Sequence, residues 1–231
     1  MSRLRTLAGG VAFRYVPRLL PLQRVGGYHG TNKAKIVSLG LSYLDIYERY
    51  LKSWRRREFS ILELGVYRGE SLRMWRDYFP NARVYGFDID PASAKRVRGE
   101  FTVFMGSQKD AASIGRALDE IGPGLKLVVD DASHVNELTI AAFDQIFPRL
   151  PSGALYVIED LAPESYQSAT ATAPGMEHNI GVSFENRRAD FDRFVEELVH
   201  DADAMGSNRW GHPRTVAFVH LWPGLLFVGR A

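Results

Sequence analysis

Two short stretches carry the residue types from which polar chemistry is built. Asp131-Ala-Ser-His134 sets a carboxylate and an imidazole on one tight connection, and Glu159-Asp160 adds a carboxylate pair further along. Asp131, Glu159 and Asp160 beside a histidine, in a chain without cysteine, make a hard-oxygen donor set suited to Mg2+ or a similar divalent ion. A cation there would also let like charges share one place, which unpaired carboxylates at buried positions do only at a large free-energy cost. His134, with an unperturbed pKa near ~6.5, is suited to accept a proton near neutrality. Alone it would read as a core or capping histidine, but the acids at its side favour a functional role.

A second constellation is Glu63-Leu-Gly65-Val-Tyr67-Arg-Gly69. Gly65 and Gly69 let the backbone turn tightly and approach a ligand closely. Dinucleotide-binding loops are rivals for such a pattern. Tyr67 stands where that fingerprint wants its second glycine, which makes room for a pyrophosphate. The acid, Glu63, precedes the first glycine, and an acid there suits a cationic or amine-bearing ligand better than a phosphate. Asp88, about twenty residues after the turn, is placed for a ribose hydroxyl pair. Gly106-Ser107-Gln108-Lys-Asp110 could face an adenine edge, with a helix cap or turn as the alternative for each of these polar groups.

These residues need elements to hold them. Phe59 to Leu64, Arg83 to Phe87, Phe101 to Met105, Leu125 to Val129 and Ala154 to Ile158 are short apolar runs that read as strands. Helical stretches lie between them: Ser71 to Tyr78, one opened by Pro91, Ala111 to Ile121 and Leu138 to Phe147. Such alternation predicts βαβ units and a doubly wound, mostly parallel sheet of the α/β class, with both faces covered. Glu63, Asp88, Asp130-Asp131 and Glu159-Asp160 then all fall at the carboxyl ends of strands, where open parallel sheets bind ligands. Upstream, Leu39 to Trp54 reads as a helix, with Trp54-Arg-Arg-Arg57 at its end. Downstream, Phe191 to Met205 is helical. Val216 to Leu221 and Leu225 to Val228 flank Trp222-Pro-Gly224, predicting a closing antiparallel hairpin. Residues 161–186 show no periodicity and lie where a substrate lid would be. Tyr166, Phe184 and Trp210 could line an acceptor pocket, although aromatic residues more often belong to the core.

Composition narrows the classes. A hydrophobic share of 45% over 231 residues suffices for one domain with a proper core. A net charge of +2 gives no ground for nucleic-acid binding. Five arginines (Arg3, Arg5, Arg14, Arg18 and Arg24) precede the first acidic residue, Asp45. Residues 1–29 therefore read as a basic arm that packs on the domain or on a partner subunit in a homo-oligomer, and 30–231 as the folded domain. Gly9, Gly10 and Arg14 break the apolar stretch a secretory leader needs, and no run approaches the ~18 apolar residues of a membrane span. Absence of cysteine removes disulfides and thiolate sites and fits a reducing cytoplasm.

Taken in order, Glu63-Leu-Gly, Asp88, Asp130-Asp-Ala-Ser-His134 and Val157-Ile-Glu-Asp160, closed by a hairpin, resemble the class I S-adenosylmethionine-dependent methyltransferases. More narrowly, the chain is similar to the metal-dependent sugar O-methyltransferases of macrolide and other glycosylated natural-product pathways, with cephalosporin hydroxylase-like proteins as relatives. The likeness runs from Gly30-Thr-Asn-Lys33, which looks like that group's opening motif, to the end of the chain. It implies that Glu63, Gly65, Tyr67, Gly69, Ser71, Asp88, Ser107, Gln108 and Asp130 hold S-adenosylmethionine. It further implies that Asp131, Glu159 and Asp160 hold Mg2+, and that His134, working with Asp131, is the general base. Ala132 in place of a usual glycine and Ser107 in place of a common aspartate depart from the pattern. The expected function is O-methylation of a hydroxyl on a glycosylated or polyhydroxylated small molecule. A hydroxylase-like activity or a catalytically silent cofactor-binding subunit on the same fold are the alternatives.

Overall fold

The computed structural model describes residues 20–38, 40–161, 188–203 and 216–231. The expected lid 161–186, with Tyr166 and Phe184, falls outside them apart from Leu161, as do Trp210 and the arm up to residue 19. Among the described residues the order is helix α1 (Leu22–His29), a short hairpin of β1 (Ile36–Ser38) and β2 (Leu41–Ser42), then α2 (Tyr43–Leu51). The alternating part follows: β3 (Phe59–Leu64), α3 (Glu70–Tyr78), β4 (Ala82–Asp88), α4 (Pro91–Arg96), β5 (Thr102–Met105) and α5 (Ala111–Ile121). It continues through β6 (Leu125–Asp130), α6 (Asn136–Ile146) and β7 (Leu155–Glu159), and closes with α7 (Arg188–Asp203), β8 (Val216–Trp222) and β9 (Leu225–Arg230).

The main sheet has seven strands in the order β5-β4-β3-β6-β7-β9-β8. Pairings among β3 to β7 are parallel, and β9 runs antiparallel to both β7 and β8. The fold expected from the sequence is the one found. From β3 the chain winds outward through β4 to β5, then returns to β6 on the other side of β3, so strand order reverses between β3 and β6. That reversal opens a crevice beyond the carboxyl ends of β3 and β6.

Strand periodicity sorts the core into two layers. Leu62, Leu64, Val128, Tyr156 and Ile158 pack with Ile114, Phe143 and Phe194 from α5, α6 and α7, and with Phe147 in the turn after α6. Ile61, Leu127, Val129, Val157 and Phe227 pack on the other face with Leu22, Tyr47, Trp75 and Tyr78 from α1, α2 and α3. Each of these large side chains, once fully buried, contributes roughly 1.5–3 kcal/mol of transfer free energy.

Local signals set the helix starts. Ser42 and Asp45 form a reciprocal capping box on α2. Asp90 caps α4 ahead of Pro91, and Asp110 accepts from the amides of Ala112 and Ser113 at the start of α5. The expected helix from Leu39 begins only at Tyr43, because Leu41–Ser42 pairs with β1. Helix α1 lies within the segment read as an arm, yet Leu22 and Val25 are buried in the second core layer. His29 Nε2 lies 2.9 Å from the Asp77 carboxylate on α3, fastening this helix to the domain.

Candidate functional site

The acids at the strand ends do not all face the crevice, and strand parity decides which do. Glu63 and Glu159 share parity with Ile61 and Val157, so they point into the layer beneath α1, α2 and α3. Asp130 shares parity with Val128 and points to the opposite layer. The residues just past the strand ends, Gly65, Asp131 and Asp160, lie on the crevice wall.

In the first layer a buried cation organises the acids. The Lys33 side chain, 2% exposed, donates to Asp131 and, at 2.8 Å, to Glu159 Oε2, and stands 3.2 Å from Glu63 Oε1. Burial works against its charge, but the carboxylates of Asp131, Glu159 and Glu63 outweigh that and hold the ammonium well above the usual lysine range. Tyr47 donates to the other Glu159 oxygen at 2.6 Å, and Trp75 Nε1 donates to Glu63 Oε2 at 3.1 Å. Burial pushes the carboxyls of Glu63 and Glu159 up, while Lys33 pulls both down. The sequence shows Lys33 only as part of a motif and does not single out Tyr43, Tyr47 or Trp75. Apolar periodicity marks these aromatics as core, and nothing local announces their polar tips.

In the opposite layer Asp130 accepts from Gln108 Nε2 at 2.8 and 3.0 Å and from the Tyr156 hydroxyl at 3.2 Å. Burial raises the Asp130 carboxyl to about 7 against the pull of Tyr156, the Ala132 amide and Gln108. Gln108 Oε1 accepts from the Ser133 amide at 3.3 Å, so the side chain expected at an adenine edge also ties the β5 and β6 ends together.

Between the layers lies a cavity of about 480 Å3, in the ordinary range for a small-molecule site. It is lined by the glycine turn with Ser71, Asp88 and Gly106-Ser-Gln108, and by Asp131 to His134 with Asp160. Of the expected cofactor residues, Gly65, Tyr67, Ser71, Asp88, Ser107 and Gln108 line it, whereas Glu63, Gly69 and Asp130 lie behind the wall. Asp88 Oδ2 accepts from the amides of Val66 at 2.8 Å and Tyr67 at 3.3 Å, and its Oδ1 from Asp90 at 2.8 Å. The acid thus rigidifies the turn while remaining on the cavity.

Strain concentrates here. Among the described residues the non-glycine positions with positive φ are Tyr67 (51°), His134 (54°) and Asp160 (49°), and all three line the cavity. Such conformations cost about 1–3 kcal/mol each and gather at functional sites. Asp131, His134 and Asp160 each place a ligand atom within 4.8 Å of the others, all half-buried. His134 Nε2 is 3.9 Å from Asp131 Oδ1, and Tyr43 donates to Asp160 Oδ1 at 2.8 Å. This cluster of carboxylates and an imidazole matches the preference of hard divalent cations for oxygen. Glu159, expected as its third carboxylate, is withheld from the cavity by Lys33 and Tyr47.

No family model matches the chain. The 8-demethyl-8-alpha-L-rhamnosyl tetracenomycin-C 2'-O-methyltransferase of Streptomyces olivaceus is 36% identical over 211 residues, covering 87% of this chain and 52% of that protein. The mycinamicin VI 2''-O-methyltransferase of Micromonospora griseorubida is 36% identical over 123 residues, covering 50% of this chain and 30% of that protein. The chain thus spans about half the length, or less, of the curated relatives it matches. In three dimensions it resembles MycE methyltransferase from the mycinamycin biosynthetic pathway, solved in complex with Mg, SAH and mycinamycin VI. That likeness has a TM-score of 0.68 at 25% identity and covers 93% of this chain and 56% of that one. SAH-bound PaMTH1 of Podospora anserina, with a TM-score of 0.53 at 15% identity, shares the fold alone. Sheet order, crevice and neighbours together give this chain the class I methyltransferase fold, and its sequence is similar to part of the natural-product sugar O-methyltransferases.

Proposed function

We propose that the chain is an S-adenosylmethionine-dependent O-methyltransferase acting, with Mg2+ or a similar divalent ion, on a hydroxyl of a sugar or other polyhydroxylated small molecule. The observation that carries this is one cavity lined both by the glycine turn with Asp88 and by Asp131, His134 and Asp160. Gly65, Tyr67, Ser71, Asp88, Ser107 and Gln108 contact the cofactor, while Glu63, Gly69 and Asp130 hold those loops from behind. Asp131 and Asp160 are the carboxylates that face a divalent ion.

When bound, the cofactor supplies an electrophilic methyl group and the divalent ion lowers the pKa of the acceptor hydroxyl. The chain's own residues do the rest. His134, on the wall beside Asp131, accepts the hydroxyl proton. Asp131 Oδ1 lies 3.9 Å from its Nε2. Asp160, fixed by Tyr43, keeps the acceptor side in register with the turn. No helix among the described residues is long and apolar enough to cross a membrane. The reading sets the enzyme in the cytoplasm, with a glycosylated small molecule as partner. Self-association, read from the basic arm, is measurable by light scattering on the full chain.

Calorimetric titration of S-adenosylmethionine and S-adenosylhomocysteine, without and with Mg2+, tests the reading. Binding of both, with separate magnesium binding lost in Asp160→Asn, is the expected result. Failure of either ligand to bind in both conditions would refute it.

A further inference from the structure

Asp131 and His134 share the short connection 131–134, whose main-chain amides are held one after another. Asp131 N donates to the Leu64 carbonyl oxygen at 3.0 Å, and Ala132 N donates to the Asp130 carboxylate. Ser133 N donates to Gln108 Oε1 at 3.3 Å. Asp130 and Gln108, 2% and 6% exposed, are bonded to each other, Gln108 Nε2 reaching both carboxylate oxygens at 2.8 and 3.0 Å. The pair is fastened at its outer ends. Tyr156 on β7 donates to Asp130, and Gln145 on α6 donates to the Gln108 carbonyl oxygen at 3.1 Å. Just past these grips stands His134, in left-handed backbone with φ 54°. The Gln108 amide has one workable sense: the Ser133 N–H requires an acceptor and the carboxylate requires donors, so Oε1 faces the first and Nε2 the second.

We infer that Asp130 and Gln108 form a buried clamp that grips the amides of Ala132 and Ser133 and so sets where Asp131 and His134 stand on the cavity. The inference rests on the roles proposed above for those two residues. Asp130 is a positioning residue, and so is the amide group of Gln108, which is spent on Asp130 and Ser133. The Gln108 main chain belongs to the 106–108 segment of the cavity lining, so one residue joins the cofactor side to the connection that bears the base. Burial makes the grip selective, because a donor set against a donor there has no water to turn to. Asp130→Asn puts an N–H against the Gln108 amide, and whichever way either amide turns, one N–H meets another. Gln108→Glu sets carboxylate against carboxylate. Made together, the two changes restore every bond with the charge moved across the pair. The carboxylate at position 108 then accepts from the amide at position 130 and from Ser133, while the amide oxygen at 130 accepts from Ala132 and Tyr156.

That reciprocal swap, made in the full chain, tests the clamp without turnover. Wild type, Asp130→Asn, Gln108→Glu and the double variant are compared by thermal unfolding and by the His134 imidazole signals in a long-range proton–nitrogen spectrum, assigned by their loss in His134→Ala. Each single change should lower the midpoint by about 4 °C or more and move the His134 signals. Each should also weaken S-adenosylhomocysteine binding by about tenfold in calorimetry, because the 106–108 segment lines the cavity. The double variant should regain at least about half of the midpoint lost by the two singles together, and return the imidazole signals and the affinity to wild type. Gly99→Ala, strained at a position with open space around it, lowers the midpoint but should leave those signals in place, so instability alone does not imitate the effect. If a single variant fails to fold, the double decides: wild-type His134 signals support the clamp, and a double that also fails to fold overturns it. Singles whose His134 signals stay in place, or a double no better than the worse single, overturn the clamp and leave the functional reading intact. A wild type that binds no S-adenosylhomocysteine overturns that reading, while the clamp still stands or falls by the imidazole signals.

Discussion

Gly65→Ala probes whether the close crossing of the β3 and β6 ends builds the site. Gly65 has φ +89°, and a methyl group there would stand 2.2 Å from the Asp131 carbonyl oxygen, 2.8 Å from its carbon and 2.9 Å from Ala132 Cα. These are backbone atoms, so no side-chain rotation relieves the overlap. Reaching ordinary contact requires residues 131–132 to retreat by about 1 Å. The left-handed backbone costs alanine roughly 1–2 kcal/mol, and the overpacking roughly 1–3 kcal/mol more, for a total of about 2–5 kcal/mol. Gly99 supplies the control: its φ is +82° and nothing lies within 4 Å of an added methyl, so Gly99→Ala carries the backbone part alone. Urea unfolding followed by circular dichroism should separate the two variants by about 1–3 kcal/mol. In a domain this size each kcal/mol also moves the thermal midpoint by about 2–4 °C. Because the displaced residue is Asp131, Mn2+ affinity should fall by about tenfold or more in Gly65→Ala and stay put in Gly99→Ala. Equal stabilities within about 0.5 kcal/mol, with unchanged Mn2+ binding, would refute the argument that this crossing positions the acid.

His134→Ala should lower turnover by about 10²–10⁴-fold while S-adenosylhomocysteine affinity, read by calorimetry, stays within about threefold; full activity would remove His134 from the base role. Tyr47→Phe keeps the ring contacts with Trp75 and Phe227 but deletes the 2.6 Å hydrogen bond to Glu159. A buried bond to a charged group of this kind should cost about 1.5–3 kcal/mol in urea unfolding, and a neutral result would show that Lys33 alone satisfies Glu159. Arg73 donates to both Glu100 oxygens, at 2.9 and 2.7 Å, and this lowers the Glu100 carboxyl. The folded value lies below the unfolded one, so the stabilisation is present above about pH 4.3 and is lost as the pH falls through the lowered value. At 38% side-chain exposure it amounts to under about 1 kcal/mol, and the stability gap between wild type and Arg73→Gln should close as the pH falls below the lowered Glu100 value.

The α/β winding was legible because its signals are local. Apolar runs of strand length alternate with helical periodicity, Pro91 and Asp110 mark helix starts, and Trp222-Pro-Gly224 marks the hairpin turn that β8 and β9 flank. Acids at successive strand ends announced a site beyond the carboxyl edge of the sheet, and Asp131, His134 and Asp160 do converge there. The start of the helix near Leu39 was misplaced because pairing with β1, a non-local contact, claims Leu41 and Ser42.

What the sequence determined by itself is the class of fold, the edge of the sheet where the polar residues gather, and the kinds of group available there. Each follows from residue order and from periods of two and 3.6 residues. Tertiary structure decided the roles. Glu63, Asp130 and Glu159 all end strands, yet each points into a core layer, where Trp75, Tyr156 and Tyr47 meet them. Only when α1 and the segment after it fold over the sheet does Lys33 arrive among acids far along the chain from it. A buried charge has to find its partners wherever the packing brings them, and no spacing within a single stretch of sequence records that.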